Sequence, residues 1–364
     1  MPSNISKKHT SFAATEVKKT IERDWSSLLP EVLNIIAKNL NEISDFVRFR
    51  AVCKAWRSST PITDLPPQFP WILLLVSNKL NLECYSIPSN KFYTFHAPKS
   101  FTLLCGAAEG YVLTGIYNRS GDSITYQLSL LDPLNNHEIP LPDIYFDHYY
   151  PRFYPWKNQM GEYVVYCVDG YQNFKLDFWQ FGQNNWCELN LDSVSIDGCR
   201  NIFYVKNMIF IVERWTGVTK AIDMFTGTLV YVIPPTEDYS TKELQFMVEA
   251  SGDILRVTRS PGFISSARFD VYRLDADASC SPCWMKVTSI GDQALFIDNC
   301  GALTLRANDF ARIKRNSIYF FGFIDNHSTK CEVKRMDIET GASEHLPCSI
   351  KKPGNWFTPN LHQI

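Results

Sequence analysis

Apolar positions change their period once along this chain. Between Trp25 and Thr60 they recur at helical spacing: Pro30 suits an opening turn, where its missing N–H costs little, and Val32, Leu33, Ile36, Ala37 and Leu40 follow on one face. Asn41 and Glu42 interrupt the pattern. Ser44 or Asp45 can cap a second helix over Phe46, Val47 and Phe49, and Val52, Cys53 and Trp56 carry an apolar face toward Ser58. Three helices in so short a span bury little, so apolar side chains left outside point to a partner or a neighbouring domain. Pro61, Pro66, Pro67 and Pro70 then stop any helix and favour a stiff, extended connection.

From Trp71 onward the pattern is short apolar runs broken by Gly, Asn, Asp and Pro, the signature of strands and turns. Asn207–Val212, then Val218–Met224, a Thr226-Gly227 turn and Leu229–Ile233 predict an antiparallel meander, and Ser317–Phe321, Cys331–Ile338 and a Thr340-Gly341 turn predict another. A weak repeat links them. Units close in an aromatic or Leu-Pro strand at Phe92–Pro98, Leu130–Pro142, Trp186–Leu191, Leu229–Pro235, Trp284–Ile290 and His345–Pro347. The expected fold is mainly β: a β-propeller of about six blades, with seven the alternative and a β-sandwich the outsider, preceded by a small three-helix module. The expected division is a disordered leader over 1–22, the helical module over 23–60, a proline-rich linker over 61–70, the propeller over 71–350 and a tail over 351–364.

In the helical part, Leu28-Leu29-Pro30-Glu31-Val32-Leu33, Leu40, Asp45, Phe46, Phe49-Arg50 and Val52-Cys53-Lys54-Ala55-Trp56-Arg57 resemble an F-box. Val32 departs from the longer aliphatic residue that many members carry. The resemblance implies that Leu29, Pro30, Leu33, Val52 and Trp56 face a Skp-type adaptor, and through it cullin and RING subunits of a ubiquitin ligase, with Arg50 and Arg57 at a polar rim. In the strand part, Phe246–Val257, Phe269–Asp275, Trp284–Phe296 and Arg315–Phe320 are similar to the KIB-type domain that follows the F-box in a large plant family. That resemblance implies a kelch-like propeller in a plant protein and leaves the ligand open.

Composition adds mostly exclusions. Lys and Arg total 36 against 38 acids, so no overall field draws in nucleic acid or anionic membrane, and neither is expected as a partner. Eleven cysteines without framework spacing suggest a reducing compartment, nucleus or cytoplasm. Seven dispersed histidines form no metal pair, and no phosphate cradle or nucleophile elbow occurs, so no metal, no cofactor and no catalysis are expected. Cys280-Ser281-Pro282-Cys283 lacks a second pair and reads as chance loop cysteines, with a regulated disulfide the alternative. Asp132, Asp223 and Asp275 near strand ends suit turns.

One segment has the composition of an interface: Tyr145 to Trp156, expected between two units, with Tyr149, Arg152 and Trp156 as candidate target-binding residues. The competing reading packs its rings between blades. Taken together these features point to a non-catalytic substrate receptor, whose helical module docks the adaptor while the propeller binds an unidentified protein. Raised effective concentration would then supply the gain. The alternative is a non-degradative binding protein that sequesters its ligand; an enzyme with its site in a propeller mouth is the remote third.

Overall fold

A computed structural model describes residues 24–361 apart from 41, 75–79, 102, 148–150, 159, 170–174, 192–193, 197, 242, 261–267, 278–280, 299, 311, 324–330 and 351–353. The expected leader therefore lies outside the described residues. Helices α1 (Pro30–Lys38), α2 (Ile43–Ala51) and α3 (Lys54–Ser59) form the N-terminal module. Glu31 and Lys38 sit at the ends of α1 that suit their charges, and Pro30 opens it as expected.

Helix α2 starts one residue before Ser44, so neither Ser44 nor Asp45 is its cap. Glu42 holds that position, and its carboxylate turns away from the helix to accept the Ser86 hydroxyl at 3.1 and 3.3 Å. Beside it, the Tyr93 hydroxyl donates to Ser44 Oγ at 3.3 Å, and Ile43, 3% exposed, packs among Trp71, Leu73, Leu82 and Cys84. The module is thus fastened to the first blade by its own side chains as well as by the connection. That connection contains a 3-10 turn at Ile62–Asp64 and buries Phe69, so it is less uniformly extended than its prolines suggest.

Six sheets follow, which settles the blade count. Blade 1 takes Trp71–Leu74, Asn81–Ser86 and Lys91–His96 from the start of the domain and its inner strand, Asn355–Phe357, from the far end of the chain. The segment expected as a tail over 351–364 therefore contains the strand that closes the ring. Blade 2 is Leu103–Ala108, Tyr111–Ser120, Ser123–Asp132 and His137–Pro140, with Ile144–Asp147 added along its third strand. Blades 3 to 5 begin with inner strands Arg152–Lys157, Cys199–Val205 and Leu244–Ala250. Blade 6 has five strands, with Ala302–Arg306 inside and Gln293–Ile297 running parallel to Ser317–Phe323.

The core is divided among six apolar clusters, and each lies between two neighbouring blades. Strand alternation produces this. In blade 3, Val165 and Cys167 point toward blade 2, while Val164 and Tyr166 point toward blade 4. In blade 4, Ile209 and Ile211 face blade 3 and Phe210 and Val212 face blade 5. Because both faces of a middle strand are buried, its sequence is a continuous apolar run rather than an apolar–polar alternation.

Aspartates set the turns, as expected. Asp223 Oδ1 accepts the N–H of Phe225 and of Thr226 at 3.0 and 2.8 Å, and Asp337 Oδ1 accepts Thr340 N–H at 2.9 Å. Gly227 and Gly341 follow with φ of +68° and +69°. A third aspartate, Asp298, clasps the closure: its carboxylate accepts N–H bonds from Trp356 at 2.6 Å, Cys300 at 2.7 Å and Gly301 at 2.9 Å.

Candidate functional site

Two surfaces stand out as candidates for contact. The first is the helical module. Trp25, Leu29, Val32, Ile35, Ile36, Val47 and Val52 all stand exposed there, a dense set of large apolar side chains for so small a module. Leu29 caps α1 through its backbone alone and is 65% exposed; Pro30 beside it is exposed, and Val52, at the end of α2, is 58% exposed.

Leu33 does not join them. It is 1% exposed and packed inside the module, because it lies on the inner face of α1, a helix packed against α3 and the 3-10 turn at Ile62–Asp64, so the expectation that it faces an adaptor is corrected. Trp56 is half-buried: its ring tilts against Phe49 with centroids 4.4 Å apart, and its indole N–H donates to the Trp25 carbonyl at 3.0 Å. It therefore supports the module as well as presenting an edge. Arg50 is also taken inward, donating from Nε to the Thr60 carbonyl at 2.7 Å, while Arg57 stays exposed.

The second surface is the central channel, a cavity of about 510 Å³ lined by the inner strands. Arg152, Tyr154 and Trp156 enter it from blade 3, Asn201 and Tyr204 from blade 4, Gln245 from blade 5, Cys300 from the approach to blade 6 and Trp356 from blade 1. Within the segment from Tyr145 to Trp156, Ile144–Asp147 is an added strand of blade 2 and Arg152–Lys157 is the inner strand of blade 3. Pro155 is tolerated in that strand because an inner strand has a partner on one side only.

The two readings of these rings divide between residues. Phe146 and Phe153 are core between blades 2 and 3, Trp156 packs against Tyr166 and Tyr204 while also lining the channel, and Arg152 is exposed. Tyr149 lies outside the described residues, as does Cys280 of the cysteine pair. Gln245, Asn201 and Cys300 were not singled out from the sequence. Their signal is positional: each stands on or just before the inner strand of a blade, the strand that borders the axis.

Burial holds ionisable groups in and beside the channel in their protonated forms. Burial pushes the Cys300 and Cys199 thiols up to about 12, although Arg152 and Arg214 pull Cys199 back. Burial also raises the Tyr154 phenol, with Arg152 opposing it. At the other end Lys157 pairs with Glu109 at 3.1 Å. Among the described residues no group of His, Cys, Asp and Glu could hold a metal ion, and no helix is long and apolar enough to cross a membrane.

A three-helix module with apolar side chains left outside, fixed to one blade of a six-bladed propeller with a ring-lined channel, defines the architectural class. Residues 84–343 match the KIB1-4 beta-propeller family, and the chain belongs to that family. It is similar to F-box protein At2g05970 of Arabidopsis thaliana, 24% identical over 93% of this chain and 97% of the relative. It is also similar to F-box/kelch-repeat protein At1g57790 of the same plant, 26% identical over 81% of this chain and 82% of the relative. The N-terminal module and the propeller are those of a plant F-box protein.

Proposed function

We propose that the protein is a non-catalytic substrate receptor of a Skp-cullin-F-box ubiquitin ligase: the helical module docks the Skp-type adaptor, and the propeller holds a target protein for ubiquitination. The observation that carries this reading is the cluster of exposed apolar side chains around Leu29 and Val52, on a module joined to blade 1 through Ile43 and Glu42. Desolvated apolar anchors supply most of the free energy of such interfaces. Leu29, Pro30, Val52 and the open edge of Trp56 are the anchors. A fixed joint between the two surfaces favours presentation of a target at a constant place, and the gain is positional rather than chemical.

The test is binding of purified full-length protein to a purified plant Skp-type adaptor. Leu29→Ala with Pro30→Ala is expected to weaken binding at least tenfold without lowering the melting temperature. Undiminished binding by that variant would contradict the docking assignment.

A further inference from the structure

Two side chains of the channel carry polar groups that the propeller leaves unmatched. Gln245, on the inner strand of blade 5, is 3% exposed, yet neither its amide nitrogen nor its carbonyl oxygen has a hydrogen-bond partner among the described residues. Buried carboxamides left unpaired are costly and uncommon, and an apolar residue of similar size would relieve the cost. Arg152, on the inner strand of blade 3, bonds the Tyr154 phenol, and no carboxylate among the described residues pairs with it. Both line the same cavity, with Trp156 and Tyr204 on its wall. Lys157, by contrast, is neutralised by Glu109, so the unpaired positive charge sits at the Arg152 end.

These groups describe a ligand. A carboxamide with a free donor and a free acceptor complements another amide, which a peptide backbone presents at every residue. A guanidinium without an acid complements a carboxylate, and the rings suit an apolar or aromatic side chain. About 510 Å³ accommodates a few residues of chain and excludes a folded domain. Resting on the reading of the propeller as the target-binding part, we propose that the channel receives an extended, acidic peptide segment of the target. Its carboxylate sits at Arg152 and one of its backbone amides pairs with Gln245.

A library of random hexapeptides, made with free and with amidated C-termini, tests this against the full-length chain. Wild type is expected to enrich Asp or Glu at one position in both sets, or peptides of the free-terminus set alone; the two patterns separate a side-chain from a C-terminal carboxylate. Arg152→Glu should lose that enrichment at least tenfold and select Lys or Arg instead, whereas Arg152→Lys keeps the acid preference. Arg152→Gln serves where the reversal impairs folding, and it too must lose the preference. Gln245→Leu should weaken all bound peptides without changing the preference.

No enrichment by wild type, the same acidic enrichment by Arg152→Glu or Arg152→Gln, or unweakened binding by Gln245→Leu would overturn the proposal, including the case in which the channel takes a small molecule. Adaptor binding is measured on the same preparations. Its failure with acidic peptides still bound would remove the ligase reading and leave the channel assignment standing, and the converse holds.

Discussion

Leu29 and Leu33 stand one helical turn apart and serve different ends. Leu33 is buried inside the module, so Leu33→Ala should cost about 2–4 kcal/mol of stability, seen as a lowered urea midpoint. Leu29→Ala should leave stability within about 0.5 kcal/mol and act on adaptor binding instead. Equal effects of the two on stability would mean that the exposed leucine is structural. Asp298 gives a residue-level test by pH. Its carboxyl is desolvated at the ring closure, which raises it from 3.8 to about 6 even though three N–H groups favour the charged form.

The folded protein then binds this proton more tightly than the unfolded chain does. The stability it contributes is complete below about 4 and is lost as pH rises through about 6. Denaturation of wild type and Asp298→Asn across that range should show a difference that changes with pH. A constant difference would contradict the assignment, and comparing the two proteins cancels the other acids.

At the scale of elements, the turns show how tightly a repeated motif can differ in context. Gly227 and Gly341 share a left-handed φ, but a Cβ on Gly227 would fall on the Asn190 carbonyl oxygen, whereas one on Gly341 meets open space. Gly341→Ala should therefore cost about 1–2 kcal/mol for backbone strain alone, and Gly227→Ala clearly more, as read from melting curves. Equal costs would show that the Asn190 contact relaxes freely.

The turns, the closing strands and both meanders were legible because each rests on local chemistry: an aspartate and a glycine at a reversal, and apolar runs buried on both faces. The six expected closing segments all overlap outer or third strands of the blades. What local chemistry could not reveal is long-range. Pairing of Asn355–Phe357 with Trp71–Leu74 joins the two ends of the domain, and nothing in a three-residue strand announces it. Leu33 and Leu29 look alike in a helical pattern until the rest of the module is placed. Gln245 and Arg152 are far apart in sequence, and only closure of the ring brings both into one channel.

On the scale of the whole molecule, that closure is the dependency on which the rest stands. The strand Asn355–Phe357 buries Trp356 against Phe296 and Phe321 and Phe357 in the cluster between blades 1 and 2, so it joins blade 1 to blade 6 and to blade 2 at once. Ending the chain at residue 350 should lower the melting temperature by well over ten degrees or abolish the cooperative transition, since it opens two interblade cores together. A truncated protein that melts like the full chain would show these residues to be a dispensable tail.

The same assembly separates the proposed adaptor surface on the helical module from the channel on the propeller axis. Proximity labelling in plant cells with wild type, with Leu29→Ala plus Pro30→Ala, and with Arg152→Glu compares the two surfaces in one measurement. The account predicts a double dissociation: the first variant loses the Skp-type adaptor and keeps a second set of proteins, while Arg152→Glu keeps the adaptor and loses that set. Joint loss in Arg152→Glu, or retention of the adaptor by the helical variant, would contradict it.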